Sequence, residues 1–577
     1  MLKKALKQFW EDKRLLLLIV FGTLSWSITM VKSGLPVVGG IGFWGANGHD
    51  GIWHLALANA LARGTLHMPV FAGAGLQNYH IGFDLLLALL FRVTTIPVSV
   101  WYFQIIPPFL ALCMGVLCYL FVSDWTGSKR AAWWSTFFVY FGGSFGFIVT
   151  LLRGQGISGE SMFWSQQSIS TLINPPFALS LVILLLALVT LQKHTKHSNK
   201  AVFVTAVILF SLLLSVKVYA GVLALGALFV QSIYEYLKSK SFSTFYIFVL
   251  SLFFSLILFL PLNKSAGGLI VFQPGWFLET MLAISDRFYW PKLFEAIINW
   301  RAAHVYYKAL AGYLVAFFIF IIGNFGSRLL FLVLTPKIYQ KKSRVLSVSG
   351  VTVFLSSIVI GGVLAPMLFL QKGTAWNTIQ FLYYSLFVSA LFSGIAVHAL
   401  LSLIASRTTR RIVIALVILF TIPTTVSTLL EVYIPGRPPA MLPSDEVEAL
   451  AVLKTLPKGV VLTYPFDPLL AKAAIPNPPR PLYLYDSTAY VAAYGNHDVY
   501  LEDEVNLTIM NYQWKDRRKA LDEFYASTDQ KRVYDFLRTN NITYIYWVKP
   551  QFTKIGDLQL KLTNVFENKT VIIYKVN

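Results

Sequence analysis

The sequence predicts a polytopic α-helical membrane bundle that carries a small α/β domain at its C-terminal end. Three observations predict it. The 577 residues are 56% hydrophobic and 13% Asp, Glu, Lys or Arg, whereas an ordinary soluble domain is roughly 25% charged. Apolar runs near the bilayer-crossing length of about 20 residues recur from Leu15 to Tyr433. After about Met441 the charges return and the long apolar runs stop. These features exclude a disordered chain and a disulfide-stapled secreted module, and they argue against a soluble multidomain enzyme. The formal charge of +21 is explained by Lys and Arg gathered in cytoplasmic loops, so no nucleic-acid partner is expected. Cys113 and Cys118 share one apolar run and form no zinc or disulfide pattern.

The first span reads as Leu15–Val31. Met1–Arg14 before it carries five Lys or Arg, and no small-x-small cleavage site follows, so no cleavable signal peptide is expected. Further spans read as Val100–Val122, Ala131–Leu152, Pro175–Gln192, Ala201–Leu214, Val216–Leu237 and Phe245–Leu262. Leu310–Leu334, Leu346–Leu370, Phe381–Ile404 and Ile412–Tyr433 complete about 11 spans. Ile81–Ile96 is also apolar but carries Asp84 and Arg92, and at 1.5 Å per residue it reaches only about 24 Å. Charge parity decides its place. Without it as a span, the loops at the N-terminus, Ser123–Arg130, Lys193–Lys200, Lys238–Thr244, Thr335–Val345 and Ala405–Arg411 fall on one side and hold about 19 Lys or Arg; the opposite loops hold about 10 in a much longer stretch. The positive-inside rule then puts the N-terminus in the cytoplasm and makes Ile81–Ile96 an amphipathic helix in the first outside loop, residues 32–99. The transmembrane domain is residues 1–434.

Residues 435–577 form the second domain, on the extracytoplasmic face. Pro435, Pro438, Pro439 and Pro443 make its linker. Ser444–Leu456 reads as a helix N-capped by Ser444. Gly459–Tyr464 and Ile542–Val548 read as buried strands, Lys531–Arg538 as a helix, and Val565–Phe566 with Val571–Val576 as a terminal hairpin. No repeat, Walker loop or Gly-rich dinucleotide turn is present, so ATP-driven transport has no support in this chain.

Polar residues concentrate in the outside loops. Asp50 heads an amphipathic helix running to about Arg63, with Trp53, Leu57 and Leu61 as an apolar stripe and His54 one turn from Asp50. With His49, this sets an acid and two histidines at a membrane surface, a placement suited to general-base chemistry on a lipid-borne substrate. An acid in a first helical turn also needs no catalytic role. His80 reads as a substrate contact or a capping residue. Asp84 and Arg92 read as a structural pair or as snorkelling charges. Glu160 is the only acid of the second outside loop; it and Asp50 are the candidate ligands for a divalent cation, Mg²⁺ or Mn²⁺, or else Glu160 is a solvated loop acid. Lys217 lies between two apolar runs, where it suits a phosphate or snorkels. Arg287 and Arg301 sit in a long aromatic loop able to cradle a phosphate and a sugar face, or to form an interfacial belt.

The layout resembles the GT-C glycosyltransferases, polytopic enzymes that use polyprenyl-phosphate-linked sugars. They include protein mannosyltransferases, lipid A aminoarabinose transferases and oligosaccharyltransferases. Asp50 in His49-Asp50-Gly51 matches the family's first-loop aspartate. Asn78-Tyr79-His80-Ile81-Gly82-Phe83 looks like the entry to its second loop helix, and Trp125-Thr126-Gly127-Ser128-Lys129-Arg130 is similar to its first cytoplasmic turn. The chain departs from the pattern where Gly51 follows the first acid and where Glu160 stands alone in the second loop.

The resemblance implies inverting transfer of a sugar on the outer face of the plasma membrane. Asp50 would be the base, and Lys217, Arg287 or Arg301 would stabilise the leaving lipid phosphate. His49, His54, His80 and Glu160 complete the expected substrate contacts. The implied partners are a polyprenyl-phosphate-linked sugar, membrane lipid and an acceptor that is a glycan, a lipid or a protein; no nucleotide is needed. Two other readings compete: a transporter or flippase of a lipid-linked substrate, which predicts broken midplane helices and internal symmetry, and a non-catalytic membrane scaffold.

Overall fold

A computed structural model describes residues 12–196, 199–263, 269–333, 349–551 and 562–577. Most of the cationic N-terminal stretch, the cationic loop Thr335–Val345 and the expected start of a span at Leu346 lie outside the described residues. Among the described residues, eight helices are long and apolar enough to cross a membrane, from Lys13–Val31 to Ala375–Leu403. Two bent pairs, Lys129–Phe141 with Gly146–Leu152 and Arg407–Thr421 with Pro423–Tyr433, qualify when each is taken together. Lys200–Val216 is an apolar helix of 17 residues. Every run read as a span thus has a helical counterpart, and the chain is a mostly helical membrane bundle. The helix Gly82–Thr94 replaces the doubtful Ile81–Ile96 segment and is only 13 residues long.

The chain divides into two compact units. The first comprises Met1–Thr29, Pro108–Pro261 and Gly267–Ile434. Its helices pack through small residues, as membrane helices do when no water drives them together. At Gly394, in the helix Gln380–Leu403, a Cβ would stand 2.0 Å from the Ser135 backbone nitrogen of the helix Lys129–Phe141. The Ser135 hydroxyl donates to Leu391 O at 2.7 Å across the same contact. Arg328, 1% exposed, donates to Asn324 O at 2.8 Å and Phe325 O at 3.1 Å, and also to the Gln167 side chain.

The second unit comprises Met30–Pro107, Leu262–Ala266 and Pro435–Asn577. It joins the segment after the first long helix to the C-terminal segment through backbone pairing. Its strands, with the pair Ile270–Phe272 (β3) and Phe369–Gln371 (β4) belonging to the first unit, are β1 (Leu35–Val37), β2 (Gly40–Phe43), β5 (Ala440–Pro443), β6 (Val460–Thr463), β7 (Arg480–Pro481), β8 (Asp498–Val499), β9 (Ile542–Val548), β10 (Leu562–Glu567) and β11 (Val571–Val576). One sheet has the order β1-β2-β5-β7 and another the order β10-β11-β9-β6-β8. β6 runs parallel to both β8 and β9, and β9 and β10 each pair antiparallel with β11. The helices Ser444–Thr455 and Gln530–Thr539 cover this second sheet, burying Ala449, Leu450 and Leu453 from one and Val533 and Leu537 from the other.

Two local expectations change. Ser444 is the first helical residue and not the cap; Pro443 holds the cap position and Gly39 O accepts the Ser444 N–H at 2.8 Å. The β2–β5 pairing brings that carbonyl to the helix start, so the Ser444 hydroxyl is not needed there. The helix Asp50–Ala62 is not amphipathic: Gly51 through Ala58, Ala60 and Leu61 are buried. A helix apolar on all sides is stable only when covered on all sides, and Gly82–Thr94 and Tyr490–Gly495 pack on it within the unit. Gly82–Thr94 keeps the amphipathic character, with Leu85, Leu89 and Val93 exposed and Phe83, Asp84 and Leu87 buried.

Candidate active site

A 3₁₀ turn over Gly45–Gly48 delivers His49 to the start of the helix Asp50–Ala62. Asp50 therefore occupies a first turn, where the unpaired N–H groups and the helix dipole favour a carboxylate. Its side chain is 48% exposed, against 12% for His49. His49 Nδ1 lies 2.8 Å from Asp50 Oδ1, and His49 Nε2 lies 3.5 Å from Asp503 Oδ1, whose side chain is fully buried. Asp503 sits at φ +52° and caps the helix Glu504–Ile509, accepting from Asn506 N at 3.1 Å and from Asn506 Nδ2 at 2.9 Å. Burial opposes charge on His49, but hydrogen bonds and the charges of Asp50 and Asp503 outweigh it and hold its pKa well above the usual histidine value. The Asp50 and Asp503 side chains on either side of the ring thus favour the protonated form of His49. Tyr79, Tyr102 and Tyr485 lie within electrostatic range of Asp50, and the Tyr485 hydroxyl donates to Gly45 O at 3.0 Å.

His54 turns inward, and its Nδ1 lies 2.7 Å from Asp84 Oδ1, with both side chains buried. Asp84 accordingly does not pair with Arg92; Arg92 Nε donates to Ala62 O at 2.8 Å. The reason is the buried helix: Asp84 lies on the covered face of Gly82–Thr94, and Arg92 reaches the end of the Asp50 helix. His80 stacks on Tyr79 with centroids 4.6 Å apart.

The first unit holds the other expected residues. Glu160 accepts from Gln167 N at 2.9 Å and from the Thr428 hydroxyl at 3.3 Å. Its packing raises its pKa above the usual carboxylate range, and those hydrogen bonds partly offset the rise. Lys217 breaks the helix between Lys200–Val216 and Val218–Ser239 and donates to Asn174 Oδ1 at 3.2 Å, with Tyr219 beneath it at 5.6 Å. Arg287 lies over the Trp164 ring at 4.1 Å, and Trp164 stacks on Trp376 at 5.5 Å. Tyr383 is within electrostatic range of Glu160, Tyr219 and Arg287, so these residues form one neighbourhood. Arg301 is engaged elsewhere, with Glu279 at 2.8 Å and the Tyr313 hydroxyl at 3.0 Å.

Among the described residues no three His, Cys, Asp or Glu side chains are grouped to hold a metal ion. Asp50 and Glu160, the expected ligand pair, belong to different compact units. Sequence reasoning missed Asp503 and Arg328. Asp503 lies in the acid run Glu502-Asp503-Glu504, and nothing local ties that run to a histidine in the first loop. Arg328 carried the one available signal, a lone cation within an apolar run.

No family model matches the chain, and no curated protein sequence matches it. Solved structures do. The oligosaccharyltransferase of Archaeoglobus fulgidus, in complex with Zn and sulfate, aligns with a TM-score of 0.52 at 12% identity, over 94% of this chain and 69% of that one. The chain has the GT-C fold. The same oligosaccharyltransferase tethered to an acceptor peptide containing the NVT sequon gives a TM-score of 0.50, at 12% identity over 94% and 70% of the two chains. ArnT from Cupriavidus metallidurans bound to undecaprenyl phosphate aligns over 97% of both chains, at 8% identity and a TM-score of 0.42.

Proposed function

We propose that the chain is an integral membrane glycosyltransferase that moves a sugar from a polyprenyl-phosphate carrier to an acceptor on the extracytoplasmic side of the plasma membrane, inverting the anomeric centre. The observation that carries the reading is Asp50: a half-exposed carboxylate in the first turn of a loop helix, fixed by His49, on a chain of GT-C fold. In the reaction the acceptor hydroxyl gives its proton to Asp50 as its oxygen bonds to the sugar C1. The C1–O bond to phosphate breaks, and polyprenyl phosphate leaves with the electron pair. Stabilising the charge on that phosphate is an electrostatic contribution that is among the largest in such reactions. The oligosaccharyltransferase of the same fold has been solved with sulfate and with an acceptor peptide; lipid phosphate and an acceptor glycan, lipid or protein are the counterparts here.

The test uses purified protein in detergent with radiolabelled polyprenyl-phosphate sugars and a membrane extract as acceptor. Label is expected to leave the lipid and appear in a product of inverted configuration. A retained configuration, or no release from any donor, contradicts the reading. The same assay with EDTA, followed by Mg²⁺ or Mn²⁺, decides whether a divalent cation takes part.

A further inference from the structure

In the five-stranded sheet the chain leaves β6 for β8 on one side and later adds β9 on the other. All three strands are parallel, so β6 marks the point where the winding reverses. In open α/β sheets ligands bind in the crevice outside the carboxyl ends of the strands at such a point. A pocket opens there. Its walls are Tyr464 after β6, Glu502 and Asp503 after β8, Gln551 after β9, and Asp486 and Thr488 from the connecting loop.

Among the described residues the lining contains no Lys or Arg. Its acids are largely spoken for. Glu504 is paired with Arg518 at 2.6 Å. Asp503 faces His49 and caps a helix. Glu502 accepts from Val491 N at 3.0 Å and Ala492 N at 3.1 Å, and burial pushes its carboxyl up to about 8, so it is mostly neutral at pH 7. Two groups remain for a ligand. One is the half-buried Asp486 carboxylate, whose Oδ1 accepts from Ser487 N at 2.8 Å, so that the ligand would take its other oxygen. The other is the Thr488 hydroxyl, on a residue only 5% exposed, which is buried with no hydrogen-bond partner among the described residues. An unmade buried hydrogen bond is a deficit that a bound ligand removes. Aromatic rings of Tyr464, Phe466 and Tyr483 complete the walls. A carboxylate, hydroxyls and rings without a cation suit an uncharged polyol with an apolar face, and they disfavour an anion.

We infer that this pocket is the acceptor subsite and that the acceptor end it takes is an uncharged carbohydrate; this rests on the transferase reading above. Asp503 joins the pocket to the proposed base, because it lines the one and, through His49, holds the other.

The test needs no donor. Purified full-length protein is passed over immobilised neutral, uronate-bearing and sulfated oligosaccharides. Retention by neutral glycans is expected, and Thr488→Val and Asp486→Asn should each weaken it about tenfold, the value of one hydrogen bond of about 1.4 kcal/mol, with an unchanged unfolding midpoint. Preference for the anionic glycans, or neutral binding untouched by both substitutions, overturns the proposal. Absence of glycan binding in a protein that still consumes lipid-linked sugar overturns the pocket assignment alone. Glycan binding with no donor consumption overturns the transferase reading and the acceptor role with it.

Discussion

Asp50 and Asp503 favour the protonated form of His49, and this has a measurable sign. Its folded pKa is raised above the ordinary 6.5, so its stabilising contribution is full below about 6.5 and is lost as pH rises through the folded value. His49→Gln should therefore cost most near about pH 6 and least in alkali; thermal unfolding of both proteins across that range checks it, and parallel curves would contradict it. Glu502 carries the same sign for a different reason. Burial raises its carboxyl to about 8 from an ordinary 4.5, so the wild type loses stability relative to Glu502→Gln as pH climbs between those values, and the difference should be flat above the upper one. Asp50 was legible in the sequence because an acid opening a long apolar helix in a polar loop is a local pattern. Asp503 was not, because its meaning lies in a contact with a residue far away in the chain.

Elements were read where periodicity is local and misread where burial is not. β9 matches its expected strand end to end, and the terminal hairpin pairs as anticipated. The Asp50 helix was taken for an amphipathic one because nothing in its own residues names the helices that cover it. Its buried His54–Asp84 pair joins it to Gly82–Thr94. His54→Ala leaves Asp84 buried without its partner and should cost about 3–5 kcal/mol of stability; a normal unfolding midpoint combined with a raised KM would instead return His54 to substrate binding. Gly40 marks the closest backbone approach in the smaller sheet: a Cβ there would stand 2.0 Å from Leu442 O. Gly40→Ala should force β2 from β5 and cost about 1–3 kcal/mol, seen as earlier unfolding and faster proteolysis; an unaltered midpoint would contradict the pairing.

For the molecule as a whole, length and hydrophobicity were enough to reveal the bundle, because a lipid solvent demands long apolar helices whatever their function. The grouping of the first loop with the C-terminal segment was not legible, since it depends on β2–β5 pairing between distant segments. Membrane orientation is checked by placing cysteines at Ser161 and Thr508 in a chain lacking Cys113 and Cys118. Both should react with an impermeant reagent applied outside intact cells, and reaction only after lysis would reverse the topology. The central claim is that a lipid-linked sugar is transferred at Asp50. Its most direct measurement follows release of radiolabelled sugar from polyprenyl phosphate by the purified wild type and by Asp50→Asn. Release by the wild type, with at least a hundredfold loss in the variant, on the order of what general-base removal costs, is the expected result. Equal release by both would contradict the role of Asp50, and no release by either with any donor would contradict the transferase itself.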